Sequence, residues 1–293
     1  MGIEKFKPVI ALCLACGIWG LSGIYYDQLS HVPPVEVLAH RSLWAMIFFS
    51  LVLFCQRRLH SLLYDKLNFR ELCLLSFSAL MISINWFSFI YAIQTGQAVQ
   101  ASFGYYIFPL VAVVFGFLFK GERFSKIQLL AILFAGISVS TLGFALSLIP
   151  SIALIIALTF GAYGLIKGFT ELSSIESVTI ETILIAPLSV IFLILVYISR
   201  PLYSDNVTDR DLLLLMLSGV ITGGPLILFS YATKQLTYAT VGILQYLNPT
   251  LQFLVAIFVL MEPFNMWHAC ALFFIWVGII IYSAESLRLE SRK

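Results

Sequence analysis

The chain has 293 residues, of which 60% are hydrophobic and 11% are charged, and its mean hydropathy is +0.98. A soluble domain carries about 25% charged residues, so this chain has too little polar surface to fold as a globule in water. Its formal net charge of +2 is too balanced to indicate a nucleic-acid or polyanionic partner. The composition therefore predicts a polytopic membrane protein that is embedded in the lipid bilayer.

Ten apolar segments are long enough to cross a bilayer, which needs about 20 residues per helix. In chain order they cover residues 8–28, 34–55, 72–93, 98–119, 126–146, 149–168, 176–198, 212–233, 239–260 and 266–284. Helices are expected because lipid offers no partner to open backbone groups, and the alternating pattern of barrel strands is absent. The predicted fold is all-α, with ten transmembrane helices.

The Lys and Arg residues predict the orientation of these helices. With the N-terminus in the cytoplasm, the outer loops hold two of the 17 cations, Arg200 and Arg210, and Arg41 lies inside a span. The other 14 fall in inner segments: Lys5, Lys7, Arg57, Arg58, Lys66, Arg70, Lys120, Arg123, Lys126, Lys167, Lys234, Arg288, Arg292 and Lys293. By the positive-inside rule, both termini are predicted to be cytoplasmic and the protein to reside in the inner (plasma) membrane.

The two halves of the chain resemble each other at an offset of 140 residues. The matches are Tyr91 with Tyr231, Tyr106 with Tyr246, Pro109 with Pro249 and Glu122 with Glu262. Each half has five spans, an odd number, so the second half enters the membrane upside down. Inverted repeats are typical of secondary transporters. We predict one five-helix repeat over residues 1–147 and an inverted one over residues 148–293.

Pro109 and Pro249 fall near the centres of their spans. A proline in mid-helix removes a backbone hydrogen bond and kinks the helix. Matched interruptions in corresponding helices point to a transporter's binding site. A packing kink without a ligand is the alternative interpretation.

Four charged residues in or near the spans are related by the same offset: Asp27 with Lys167, and Arg41 with Glu181. A charge inside a span costs at least roughly 2.5–3.5 kcal/mol, so each needs a reason. We predict that Asp27 meets Arg41 at the outer mouth and that Lys167 meets Glu181 at the inner mouth, as two alternating gates. The alternatives are static pairs, snorkelling of Lys167, and a proton-coupling role for Glu181.

Polar and aromatic residues at mid-depth form the candidate substrate pocket. Aromatic walls with a few hydrogen-bonding groups suit a planar or amphipathic metabolite. Ordinary helix packing and interfacial belts are the alternatives. The pocket residues are Trp19, Asn85, Trp86, Tyr105, Tyr106, Tyr163, Gln245, Tyr246 and Asn248.

No pattern in the chain indicates a cofactor or a metal ion. Cys13 and Cys16 form a C-x-x-C sequence, but no second pair and no nearby His completes a tetrahedral site. We therefore predict neither a cofactor nor a metal, and interpret the cysteines as packing residues.

Several stretches together resemble the RarD group of EamA-type permeases in the drug/metabolite transporter superfamily. They are residues 36–44, 85–86, 102–110 with 122–123, 163–165, 181–182 with Pro187, 242–250, 262–264 and 282–285. The resemblance implies ten helices in two inverted repeats, a cavity lined by the first, third and fourth helix of each half, and export or exchange of small metabolites. Phe108 stands where this group usually has Asn, whereas Asn248 keeps the amide, which implies a different specificity if that amide contacts substrate.

The sequence thus predicts a secondary transporter that exports or exchanges a small amphipathic or aromatic metabolite or drug by alternating access. A membrane-embedded enzyme would need paired carboxylates or a Ser/His constellation at membrane depth, and a channel would need charge rings or a carbonyl filter. The sequence shows neither pattern, so we predict that the protein is not an enzyme. A monomer and a homodimer both remain open, as does proton coupling.

Overall fold

The computed structural model describes residues 6–121, 125–146, 149–199, 208–236 and 238–290, and every regular element within these ranges is helical. The prediction of an all-helical chain is confirmed. Glu122, together with the cations Lys5, Arg123, Arg200, Arg292 and Lys293, lies outside the described residues. The main helices are α1 (Lys7–Asp27), α2 (Pro34–Cys55), α3 (Phe69–Gln94), α4 (Ala98–Lys120), α5 (Lys126–Leu146), α6 (Ser151–Lys167), α7 (Ser174–Ser199), α8 (Asp209–Thr233), α9 (Tyr238–Gln245), α10 (Leu247–Phe258) and α11 (Met266–Glu290).

Within the described ranges, eight helices are long and apolar enough to cross a membrane: α1, α2, α3, α4, α5, α7, α8 and α11. The other two predicted spans are shorter. Helix α6 has 17 residues. In the ninth predicted span, the apolar helical stretch covers Ile243–Phe258, from the end of α9 through α10. At 1.5 Å per residue, α6 is roughly 25 Å long, a little less than the roughly 30 Å hydrocarbon core. The crossing of the membrane by these two shorter segments stays a prediction.

The ninth predicted span is interrupted at Tyr246, between α9 and α10. Pro249 is the third residue of α10 and has no N–H, so the carbonyl of Gln245, four residues earlier, loses its helical partner. Pro109 lies instead inside the unbroken helix α4. The two matched prolines therefore differ, because one accompanies an interruption and the other does not.

The helix starts recur at one spacing along the chain. Helices α2, α3, α4 and α5 begin at residues 34, 69, 98 and 126, and α7, α8, α9 and α11 begin 140 residues later in each case, at 174, 209, 238 and 266. Corresponding residues therefore stand equally far from the starts of their helices. Arg41 in α2 and Glu181 in α7 each stand seven residues after the first residue of the helix.

Small residues allow two helix pairs to approach closely. A Cβ atom added to Gly219 of α8 would lie 2.4 Å from the carbonyl carbon of Trp44 in α2. One added to Gly104 of α4 would lie 2.8 Å from the Cβ of Ile156 in α6. Small residues at such crossings let backbones pack closely in membranes, where burial from water drives little association. Both contacts join the N-terminal half of the chain to the C-terminal half.

Candidate functional site

The first candidate site is built around Glu181 of α7, whose side chain is almost fully buried at 1% exposure. The ammonium of Lys167, the last residue of α6, forms an ion pair with Oε1 of Glu181. Ser78 Oγ of α3 donates a hydrogen bond to the same oxygen at 2.7 Å, and Tyr163 Oη of α6 donates to Oε2 at 3.4 Å. The carboxylate of Glu181 therefore joins three helices.

The position of Lys167 at the end of α6 explains why its side chain reaches the carboxylate of Glu181. Lys167 stands in the last turn of α6, where a cation is favoured by the helix dipole. A short connection leads to α7, so the end of α6 and the beginning of α7 are neighbours. The ammonium also donates to Ser177 Oγ, and it lies 4.8 Å from the centroid of the Tyr163 ring. The structure thus forms the contact that the sequence predicted between Lys167 and Glu181, whereas its role as a gate stays a prediction.

A second cluster at the same end of the bundle connects the two halves of the chain. Arg58 and Lys66, which follow α2, each place a nitrogen 2.7 Å from Oε1 of Glu176. Glu71 of α3 accepts a hydrogen bond from the hydroxyl of Thr170 in the α6–α7 connection. Sequence reasoning missed this cluster, although the Ser173 and Glu176 spacing is a visible capping-box signal at the start of α7.

Arg41 stands at the position that corresponds to Glu181, but its surroundings differ. The predicted contact of Arg41 with Asp27 is not formed in this conformation: Arg41 is buried at 7% exposure, and Asp27 is exposed at the end of α1. Seven residues separate Arg41 from the start of α2, or roughly 10 Å along the helix. Because Asp27 stands at a helix end and Arg41 two turns inside, the two charges do not meet.

Aromatic rings take the place of a carboxylate around Arg41. Its Cζ atom lies 4.3 Å from the centroid of the Trp86 ring and 5.3 Å from that of Tyr26. Its Nε is buried and has no hydrogen-bond partner in the described part of the chain. Of the predicted pocket residues, Trp86 is therefore the one that contacts Arg41.

Asn85 and Tyr105 of the predicted pocket are already hydrogen-bonded within the protein. Asn85 accepts a hydrogen bond from Tyr105 Oη at 2.9 Å, and its amide donates to the carbonyl of Ile156 at 3.1 Å and to Thr159 Oγ1 at 3.3 Å. Asn85 is 1% exposed. These bonds join α3, α4 and α6, so both residues hold helices together in this structure.

Tyr106 and Tyr246, which are matched in the sequence, differ in their hydroxyl partners. Tyr106 Oη donates to Thr250 Oγ1 at 2.9 Å, and its ring lies 6.0 Å from that of Trp276. The hydroxyl of Tyr246 is buried at the interruption between α9 and α10 and has no hydrogen-bond partner among the described residues. Tyr246 therefore offers an unused polar group.

The remaining predicted pocket residues lie along α1, α9 and α10. The ring of Trp19 is 5.9 Å from that of Phe229, and Asn248 accepts a hydrogen bond from Gln252 at 3.1 Å. Gln245 is half-buried and makes no side-chain hydrogen bond within the described residues. Phe108 packs its ring on Phe160 at 4.8 Å.

Further polar contacts stand at the end of the bundle opposite Glu176. His31 Nε2 lies 3.1 Å from Asp211 Oδ2, and Arg210 donates to Gln28. Glu262 accepts hydrogen bonds from the backbone N–H groups of Ala98 and Val99, the first residues of α4. Burial raises the pKa of the Glu262 carboxyl, and the two N–H groups act in the opposite direction.

The structure offers no metal centre in the ranges that it describes, where no group of three or more His, Cys, Asp or Glu side chains is placed to hold an ion.

Comparison with known proteins identifies the family of the chain. A model of the EamA-like transporter family matches it twice, over residues 6–144 and 147–284. A protein of known crystal structure is similar in fold, with a TM-score of 0.61, 18% sequence identity and coverage of 94% of this chain and 96% of that one.

Full-length relatives carry transporter or RarD names. The chain is 35% identical to the transporter YojE of Bacillus subtilis over 294 residues, which covers 97% of this chain and 96% of that protein. It is 32% identical to protein RarD of Escherichia coli, with 100% and 99% coverage. It is 26% identical to the chloramphenicol-sensitive protein RarD of Pseudomonas aeruginosa, with 90% and 89% coverage.

Proposed function

Because the chain belongs to the EamA-like transporter family and is a multi-pass membrane transporter of the RarD type, we propose that it exports or exchanges a small amphipathic or aromatic metabolite or drug by alternating access. The proposed location is the inner membrane, with both termini in the cytoplasm. The observation that carries the mechanism is the difference between two corresponding charged sites. The Lys167–Glu181 pair is formed, whereas Arg41 and Asp27 are apart.

The proposed architecture is two inverted five-helix repeats, over residues 1–147 and 148–293. The 140-residue spacing of the helix starts and the double match of the family model support it. In this arrangement α6 is the sixth span of the membrane, and α9 and α10 together form the ninth span. Two such halves rocking about a central site are the usual basis of alternating access.

The proposed gates are the two charged sites. In the proposed mechanism the ion pair of Lys167 with Glu181 closes its end of the bundle, and the contacts of Arg58 and Lys66 with Glu176 support this closure. Opening of this end would break the pair and let the other end close, with Asp27 approaching Arg41. When the pair is broken, the carboxylate of Glu181 can take up a proton from water, and it releases this proton when the pair forms again, so proton coupling is part of the proposal.

The proposed substrate pocket contains the predicted residues that keep free groups or ring faces. These include Gln245 and the hydroxyl of Tyr246. Trp19, Trp86 and Tyr163 supply aromatic surface. Asn85, Tyr105 and Tyr106 connect the surrounding helices, and Asn248 is bonded to Gln252 within α10. The interruption beside Pro249 leaves the carbonyl of Gln245 without its helical partner, which supports a binding site in this part of the chain.

The first experiment is a thermal-shift screen of the purified full chain in detergent. The library contains amino acids, nucleosides, nucleotide cofactors, sugars and aromatic drugs including chloramphenicol. A ligand at 100 times its dissociation constant stabilises a protein by about 2.7 kcal/mol, so modest binders are detectable.

Each ligand found in this way is then tested in proteoliposomes. An exchanger takes up labelled ligand faster when unlabelled ligand is present on the opposite side. A channel would conduct without this acceleration, and an enzyme would convert the ligand, so either result would contradict the proposal.

The gates are tested by accessibility of residue 86 in a background without other cysteines. We expect Trp86→Cys to react with a membrane-impermeant thiol reagent added from the Arg41 side. Replacing Lys167 and Glu181 together by Met removes the pair, and a loss of about 1.4 kcal/mol changes the ratio of the reactive to the unreactive conformation roughly tenfold, so the reaction should slow. Lys126→Met, which removes an exposed cation, is the control. An unchanged reaction rate in the double variant would exclude the gate.

A further inference from the structure

Arg41 is a buried cation that has no acceptor among the described residues. It is 7% exposed, and it forms neither a hydrogen bond nor an ion pair with any described residue. Charged residues inside membrane spans are costly, and they usually pair with one another or mark a substrate pathway. Lys167, the corresponding buried cation of the other site, does have a carboxylate partner in Glu181.

Two aromatic rings lie close to the guanidinium of Arg41, and no described residue accepts a hydrogen bond from it. Cζ lies over the rings of Trp86 and Tyr26, and Tyr25 and Tyr105 are within electrostatic reach of the charge. The five N–H donors of a guanidinium lie in its plane, in a fork that matches the two oxygens of a carboxylate or phosphate. Because the rings supply no acceptor in this plane, the N–H donors of Arg41 can donate to an oxyanion.

We propose that Arg41 binds an oxyanion of the substrate, so that the transported compound is an aromatic or planar carboxylate or phosphate. The oxyanion accepts hydrogen bonds from the guanidinium edge, and the ring of the substrate packs beside Trp86 and Tyr26. This inference rests on the proposed transport function and narrows it from amphipathic compounds in general to anionic ones. A permanent carboxylate partner would block such a site, which explains why Asp27 stands apart in this conformation.

The test measures binding of matched charged and neutral probes to the purified full chain in detergent. The probes are benzoate with benzamide, indole-3-acetate with indole-3-acetamide, and benzyl phosphate with benzyl alcohol. We expect at least one oxyanion to bind tenfold or more tightly than its neutral counterpart, because a hydrogen bond to a charged group contributes enough for roughly a tenfold effect or more. The first two pairs report on carboxylates and the third on phosphates.

Substitutions then assign the preference to Arg41. Arg41→Gln is expected to abolish the preference for the anion, and Arg41→Lys to keep part of it through its charge. Arg210→Gln removes an exposed arginine that contacts Gln28 and should leave the preference unchanged. Size-exclusion chromatography and the melting temperature verify that each variant is folded. Trp86→Leu is expected to weaken both members of a pair about equally, and it gives a second reading if Arg41→Gln is unstable.

A wild-type protein that binds no oxyanion, or that shows no preference for it, would overturn the inference. So would an Arg41→Gln variant that retains the preference. Flux measurements separate this outcome from failure of the transport proposal. Anions that bind at Arg41 but are never translocated would leave the site valid and the transport function wrong. If instead a neutral ligand is exchanged across the bilayer and anions are not preferred, the transport function stands and the oxyanion site at Arg41 is wrong.

Discussion

The two charged sites, one around Glu181 and one around Arg41, occupy corresponding positions in the two halves of the chain, yet they balance their charges differently. Glu181 has a cation, a serine hydroxyl and a tyrosine hydroxyl around it. Arg41 has two aromatic faces and no carboxylate in the described residues. Positions related by a sequence repeat can therefore differ in their partners: the charge of Glu181 is paired within the protein, and in our proposal Arg41 binds the substrate.

The largest effect on stability is expected at the site around Glu181, where the charge has partners within the protein. Lys167→Met would leave the carboxylate of Glu181 buried with two hydroxyl partners, and breaking a buried ion pair from one side costs about 3–5 kcal/mol. We expect a marked drop in the melting temperature in detergent. Replacing both Lys167 and Glu181 by Met should recover most of it. Equal stability of the single variant and the wild type would show that the pair contributes little to the fold.

A second comparison uses the two serines related by the 140-residue offset. Ser78 donates to the carboxylate of Glu181, whereas Ser218 donates to the carbonyl of Leu215 in its own helix. A hydrogen bond to a charged group contributes about 1.5–3 kcal/mol, so Ser78→Ala should destabilise the protein by that amount. Ser218→Ala is the matched control and should cost less than about 1 kcal/mol. Similar melting temperatures of the two variants would contradict this difference.

The ring contact at the other site is expected to have a smaller energy. A cation over an aromatic face contributes about 0.5–2 kcal/mol. A double-mutant cycle with Arg41→Gln and Trp86→Leu should therefore give a coupling of about 1 kcal/mol, measured from the melting temperatures of the four proteins. Additive effects of the two substitutions would show that the ring does not stabilise the charge.

The smallest effect on stability is predicted for Arg41→Met. This substitution removes a buried charge that has no acceptor, so the desolvation penalty disappears together with the ring contact. We expect the stability to stay within about 1 kcal/mol of the wild type or to rise, while flux of the substrate is lost. A loss of stability as large as that of Lys167→Met would mean that Arg41 has a structural role like that of Lys167.

The sequence predicted the helices better than it predicted the side-chain contacts. The reason is that helices follow from neighbouring residues, whereas most contacts join residues that are far apart in the chain. Hydropathy and loop charges are local, so the helices were found with starts within a few residues. Lys167 and Glu181 are close in sequence and connected by a short turn, so their contact could be predicted. The predicted contact of Arg41 with Asp27 depended instead on the depth of Arg41 inside α2 relative to the end of α1. An error of one or two helical turns in this depth is enough to separate the two side chains.

The partners of Asn85 could not be predicted, because Tyr105 and Thr159 stand on two other helices. A polar residue inside a span is visible in the sequence, but whether its hydrogen bonds go to the protein or to a ligand depends on the crossing of those helices. Gln245 and Asn85 look equally suitable in the sequence, whereas the structure leaves Gln245 without a side-chain hydrogen bond in the described ranges.

The contact of Glu262 with α4 has a consequence for any attempt to divide the chain. The carboxylate comes from the C-terminal half and satisfies the first two amides of a helix in the N-terminal half. In a fragment that ends before α6, the first amides of α4 would lack this acceptor. The face of α4 around Gly104 would also lose its contact with Ile156. We therefore expect the N-terminal half to be less stable alone, and separately synthesised halves should gain protease resistance when they are made together in the same membrane.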